Sequence, residues 1–148
     1  GLFVISSKHG DIDNAHIANT AFQVASDPTR IAISIQTGNY NREIIEKSGI
    51  FNVSLLTEDV DFDLIRHFGM QSGRDINKFD SCKFKERSSN GVYYLTDKTN
   101  AFFSCKVVEQ KDLGSHVLFI GEVTEAKVLG NKPPCTYAYY HKAIKPKF

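Results

Sequence analysis

Apolar residues in this chain fall in short, β-branched runs, and each run is cut off by a turn signal. Val4 and Ile5, Ile17, Val24, then Ile31, Ile33 and Ile35 are divided by "KHGD", "SDPT" and "TGN", the pattern of a meander of short strands. Further strands are expected at "FNVSLL", "AFFSCKVV" and "HVLFIGEVTEAKV", the last long enough to bend, at Gly121, or to run through a barrel wall. Two helices interrupt them. "NREIIEKSG" has a cap candidate in Asn39 or Asn41 and Gly49 at the position of a left-handed stop. "TEDVDFDLIRHFG" offers Thr57 as N-cap, acidic residues in its first turn, Val60, Leu64 and Phe68 on one face, and Gly69 as stop. "MQSGRDINKFD" reads as a polar loop, "RSSNGVYY" and "GNKPPCT" as turns. The expected class is mainly β, an antiparallel domain with a few short helices, closed or partly closed as a barrel.

A length of 148 residues suits one domain, 1–148, able to bury roughly two thirds of its unfolded surface. The 18 basic and 17 acidic residues leave a net charge of +1, too weak a field to steer the chain toward nucleic acid or anionic lipid. Apolar runs such as "HVLFIG" are too short to span a bilayer, so no membrane role is expected. Cys82, Cys105 and Cys135, 23 and 30 positions apart, match no metal spacing. Their odd number argues against a secreted disulfide framework, and a reducing cytoplasm is the expected home. Gly1 stands where a methionine would start a complete chain and leads straight into a strand pattern, as in a fragment of a longer protein.

Polar residues interrupt the strand pattern at "NAHIANT", where Asn14, His16, Asn19 and Thr20 occupy what is otherwise apolar strand. Asn19 and Thr20 either satisfy one another at a barrel rim or present amide and backbone groups to a planar, hydrogen-bonding ligand. Asn39 and Asn41 either cap the first helix or offer an anion site at its N-terminus. "SGRDINK" gathers Ser72, Gly73, Arg74 and Lys78, which form either a solvated basic loop or a phosphate clamp; the spacing is not that of a P-loop. His116 and His141 serve either as donors to a reduced, anionic ligand or as ordinary structural residues. Tyr137, Tyr139 and Tyr140 either flank a flat ring or cover core. No Ser-His-Asp or Cys-His set can be picked out.

Three blocks in order, "DNAHIANTAFQVASDPTRIAISI", "IIEKSGIFNVSLL" and "GSHVLFIGEVTEAKV", resemble the flavin reductase-like family of FMN-binding split barrels. The pattern is nearest to flavoredoxins and to the flavin domain of high-molecular-weight rubredoxins, and it covers nearly the full chain. The resemblance implies a six-stranded antiparallel split β-barrel of Greek-key type that dimerises, with FMN at the subunit interface and NADH or NADPH as electron donor. It implies that Asn19, Thr20, Ala21 and Phe22 run along the flavin, largely through backbone groups. Gln36, Asn39 and Asn41 fall at the family's ribityl and phosphate contacts, and Tyr137 and His141 approach from the C-terminal segment. The family's Gly-Asp-His motif, tied to nicotinamide binding, appears here as Gly114, Ser115 and His116, and Thr29 stands in place of the second proline of the family's Ser-Pro-Pro-like turn. The implied activity is hydride transfer from the nicotinamide cofactor to flavin, with electrons passed to a rubredoxin-type protein or to free flavin. The alternative is a non-enzymatic FMN-binding electron carrier with weak NAD(P)H use.

Overall fold

The computed structural model describes residues 1–147. Along the chain lie β1 (Phe3–His9), β2 (Ile12–Ala18), β3 (Ala21–Ser26), β4 (Thr29–Gln36), α1 (Tyr40–Ser48), β5 (Ile50–Leu56) and α2 (Phe62–Gly69). A short hairpin, β6 (Lys85–Arg87) and β7 (Tyr93–Leu95), precedes the long strands β8 (Thr99–Asp112) and β9 (His116–Val128). A helical turn at Tyr137–Tyr139 then runs into a π-helical turn at Tyr140–Ile144.

The main sheet is antiparallel, in the order β2-β1-β5-β8-β9-β4-β3. Its two edges, β2 and β3, are consecutive in sequence and joined only by Asn19 and Thr20. Laid flat, a sheet of this width would hold its edges about 29 Å apart at ordinary strand spacing. A two-residue link spans at most about 11 Å between the flanking Cα atoms. The sheet must therefore curl until its edges come together. Among the described residues β2 and β3 do not pair, so the curl is a barrel split along that seam. The sheet has seven strands where six were expected, because "NAHIANTAFQVAS" breaks at Asn19 into two edge strands. A further two-stranded hairpin forms at the turn expected in "RSSNGVYY".

Successive side chains of a strand point to opposite faces, and β1 is buried on both. Ile5 packs inside the curl with Ile31, Ile33, Ile35, Phe51 and Phe119. Its neighbour Val4 packs outside it with Leu56, Leu64, Ile65, Phe68 and Phe79, beneath α2 and the loop that follows. Each such side chain contributes about 1.5–3 kcal/mol by leaving water.

The helix ends follow local chemistry. Asn39 caps α1, its side chain accepting from Asn41 N at 2.9 Å, and Gly49 ends it in the left-handed region at φ 71°. In α2 the cap is Asp61, which accepts from Leu64 N at 2.9 Å, rather than the expected Thr57. Thr57 is fully buried, bonded to Asp59 and bridged to Pro134, which removes it from any helix end. Gly69 is the last residue of α2, and Met70 forms its C-cap.

Gly121 is a point of close approach. A Cβ there would lie 2.6 Å from Phe51 Cζ and 2.7 Å from Cys105 Cβ. Register shifts flank it on both strands: Thr124 of β9 is left unpaired between Ser104 and Cys105, and Val108 of β8 is left unpaired between Val107 and Glu109, on either side of the pair Val107–Gly121. Gly121→Ala is expected to cost about 1–3 kcal/mol through overpacking. Gly130→Ala, with open space around it, should be close to neutral, and denaturant unfolding of the two variants checks the contrast.

Candidate functional site

The site lies along the seam. Where the edges part, a cavity of about 390 Å³ is walled by the Asn19-Thr20 link, by Ser34 and Gln36 at the end of β4, and by His116 at the start of β9. Register puts these walls together: Gln36 pairs with His116 across the β4–β9 ladder. Tyr137 and Tyr140 of the C-terminal helical turns close one side. A second cavity of about 360 Å³ shares His16, Asn39, Gly69 and Met70 with the first and is otherwise polar, with Asn14, Ser72, Gly73 and Lys78 among its walls.

Of the residues picked out from sequence, the first cavity gathers Asn19, Thr20, Gln36, Asn39, His116 and Tyr137, and the second Asn39, Ser72 and Lys78. Ala21 and Phe22 lie elsewhere, on an apolar groove of about 270 Å³ with Phe3, Val53, Leu55 and Phe103. Arg74 lines a separate polar depression, stacks over the Tyr40 ring at 4.4 Å and is bonded to Glu43. His141 is exposed and lines neither cavity, its ring set edge-on to Tyr137 at a centroid distance of 4.4 Å. Asn41 sits fully buried beneath the site.

His116 is held at the cavity wall by its own loop. Ser115 Oγ lies 2.9 Å from His116 Nδ1, and Thr37 ties the loop to the end of β4 through Ser115 O and Gly114 O, at 3.0 and 2.8 Å. On the opposite wall Thr20 Oγ1 donates to Asn19 Oδ1 at 3.1 Å.

The loop after α2 delivers Lys78 to the second cavity. His67 anchors it, Nε2 lying 2.6 Å from Lys78 O, and Lys78 Nζ turns inward to donate to Ala15 O and Phe68 O, each at 2.7 Å. Burial of this ammonium lowers its pKa to about 8. Gly73 packs the loop against the Asn14 amide: a Cβ there would come within 2.1 Å of Asn14 Oδ1, so a side chain at residue 73 would displace that amide. Asn14 Oδ1 is itself buried without a hydrogen-bond partner.

His16 is the residue that the sequence pattern quoted without assigning. It faces both cavities, yet only 7% of it is exposed. Its pKa falls to about 3, first because burial disfavours the charged ring and second because the Lys78 ammonium repels it. The ring is neutral across the physiological range.

These features fit a group with a flat, hydrogen-bonding part and an anionic part. The first cavity offers neutral donors and aromatic walls, the second a buried cation, Lys78, with the polar side chains of Ser72 and Asn39 among its walls. FMN has both parts in that order.

Burial of His16 has a consequence for stability against acid. Between the folded pKa of about 3 and the ordinary value of 6.5, the unfolded chain binds more protons, so stability falls as pH drops through that window. The slope contributed by His16 approaches about 1.4 kcal/mol per pH unit. His16→Gln, which cannot titrate, should flatten the profile between pH 6.5 and 3 in urea unfolding measured across pH.

Residues 1–146 match the family described as flavin reductase like domain. The chain is 43% identical over 142 residues to a high molecular weight rubredoxin of Moorella thermoacetica, covering 96% of this chain and 62% of that protein. It is 35% identical over 147 residues to a ferric-chelate reductase (NAD(P)H) of Archaeoglobus fulgidus, covering 99% of this chain and 86% of that protein. The flavin reductase PheA2 in its native state superposes with a TM-score of 0.78 at 28% identity, over 90% of this chain and 82% of that one. A match along nearly the whole length, joined to a split antiparallel barrel with its cavity at the seam, means that the chain belongs to the flavin reductase-like domain family.

Proposed function

We propose that the chain binds FMN across the two adjoining cavities, takes a hydride from NADH or NADPH onto it, and passes the electrons on. The observation that carries this reading is the adjacency of a ring-sized cavity with neutral donors and a polar cavity with a buried cation, joined through His16 and Asn39. When bound, the flavin ring supplies the hydride-accepting chemistry. The chain's own residues bind and orient. Asn19, Thr20, Ser34 and Gln36 present polar groups to the ring and ribityl chain. Tyr137 and Tyr140 wall one side, which limits water. Lys78 uses two of its three N–H groups on backbone carbonyls, leaving the third, with Ser72, for the phosphate. His116, steadied by Ser115, serves the nicotinamide side.

The electron acceptor in this reading is a rubredoxin-type protein or free flavin. A partner or further module is suggested by the Moorella relative, of whose length this chain spans 62%. Residues 1–148 act as one flavin domain, in a reducing cytoplasm that suits three free, buried cysteines. A second reading, an FMN carrier with weak NAD(P)H use, is favoured by Ser115 where the family's motif has Asp. The domain works as a homodimer. Phe22 and Val24 on edge strand β3 are 54% and 47% exposed, and Phe22 adjoins the apolar groove, a surface that a second copy would cover.

The absorption spectrum of the protein with FMN, before and after anaerobic NADH or NADPH, tests the function. Retained flavin bands that bleach support the reductase, and bands that persist support the carrier. Protein that retains no FMN overturns both. His116→Ala is expected to slow bleaching at least tenfold while leaving FMN affinity within about twofold; an unchanged rate removes His116 from the donor side. Phe22→Glu is expected to give monomers by light scattering, whereas a wild-type monomer would overturn the dimer.

A further inference from the structure

The buried amide of Asn41 has one permitted orientation, and through it the proton on the His16 ring has one position. Asn41 Nδ2 donates to Ile5 O at 2.9 Å, so reversing the amide would set two oxygens against each other. The Ser7 hydroxyl bonds to Asn41 Oδ1, and the second Nδ2 proton faces His16 Nδ1 at 2.7 Å. Nδ1 is therefore an acceptor, and the neutral ring carries its proton on Nε2. Among the described residues Nε2 has no protein partner, while the ring lines both cavities.

In FMN the ribityl chain leaves the ring at N10, next to the edge formed by N1 and the C2 carbonyl. N10 is flanked by this polar edge and by the apolar C9–H edge, and an N–H donor at the junction of the ring-sized and polar cavities pairs with the polar one. Resting on the FMN reading above, we infer that His16 Nε2–H is the donor to the N1 and C2 carbonyl edge of the flavin, with Asn41 as its positioning residue. Negative charge in the reduced flavin is centred on this edge, so the donor holds reduced FMN more tightly than oxidised FMN. A ring that stays neutral gives this preference without adding a charge to the oxidised state, and burial, with Lys78 nearby, keeps it neutral.

The test compares binding of oxidised FMN with binding of chemically reduced FMN under anaerobic conditions. His16→Leu is expected to shrink the preference for the reduced form about tenfold, a fall of about 30 mV in the potential of the bound two-electron couple. His16→Gln, which keeps an N–H donor, should restore most of it. An unchanged preference in His16→Leu overturns the assignment. Nitrogen NMR of wild-type protein with labelled histidine needs no variant: the His16 proton is expected on Nε2, with its resonance moving when FMN is added. A proton on Nδ1, or a resonance indifferent to FMN, overturns the assignment as well. Asn41→Asp, whose carboxylate accepts from Nδ1, is expected to move the proton there and shrink the preference as His16→Leu does; a preserved preference removes Asn41 as the positioning residue. Wild-type protein that binds FMN in neither oxidation state overturns the FMN reading, and this inference with it. Wild-type protein that binds FMN while His16→Leu leaves the preference intact overturns only the inference.

Discussion

Two residues set the shape of this domain. Because Asn19 and Thr20 alone connect the opposite edges of a seven-stranded sheet, the sheet has to roll up, and the place where its edges meet without pairing becomes the mouth of the cavity. The rest of the site follows from register. The β4–β9 ladder sets Gln36 beside His116, and the β1–β2 ladder sets His16 opposite Ile5, so that one buried amide reaches both. The polar residues of "NAHIANT" are the cost of building a seam rather than a closed wall.

Electrostatically the site is arranged from within. Lys78 is buried against two backbone carbonyls, and burial of His16, reinforced by the Lys78 charge, prevents a second charge from forming on that ring. Arg74, four residues earlier in the same loop, is exposed, paired with Glu43 and stacked on Tyr40. A pair exposed to water and screened by salt contributes little, and it leaves Arg74 engaged away from the second cavity.

How much of this could be read beforehand depended on whether the information was local. The bounds of β9 and the ends of α1 are written in neighbouring residues: a long alternating run, an Asn cap and a Gly at the left-handed stop. The cap of α2 was misread because Thr57 and Asp61 are both good caps, and Thr57 is withdrawn by contacts with Asp59 and Pro134, the latter from the far end of the chain. Of the residues picked out from sequence, Gln36 and His116 reach one cavity by strand pairing, and Asn19 and Thr20 reach it as the link between the sheet edges. Edge strand β3 sets Ala21 and Phe22 on another groove and α1 buries Asn41, placements that depend on packing and not on neighbouring residues. His16 was passed over because what distinguishes it is the pair Asn41 and Lys78, 25 and 62 positions away.

The cavity draws its walls from Leu2, from β4 and β9, and from Tyr140, so residues from near both ends of the described chain meet in it. Hairpins such as β8–β9 close over short loops, whereas the β4–β9 ladder joins Arg30 to Glu122 and has a long loop to close first. A half-synthesised chain on the ribosome can hold β1 through β5 and still have no place for a cofactor. Loading thus waits until the segment carrying β9 and Tyr140 has joined the one carrying Leu2 and β4, and a bound ligand reports that the two have found each other.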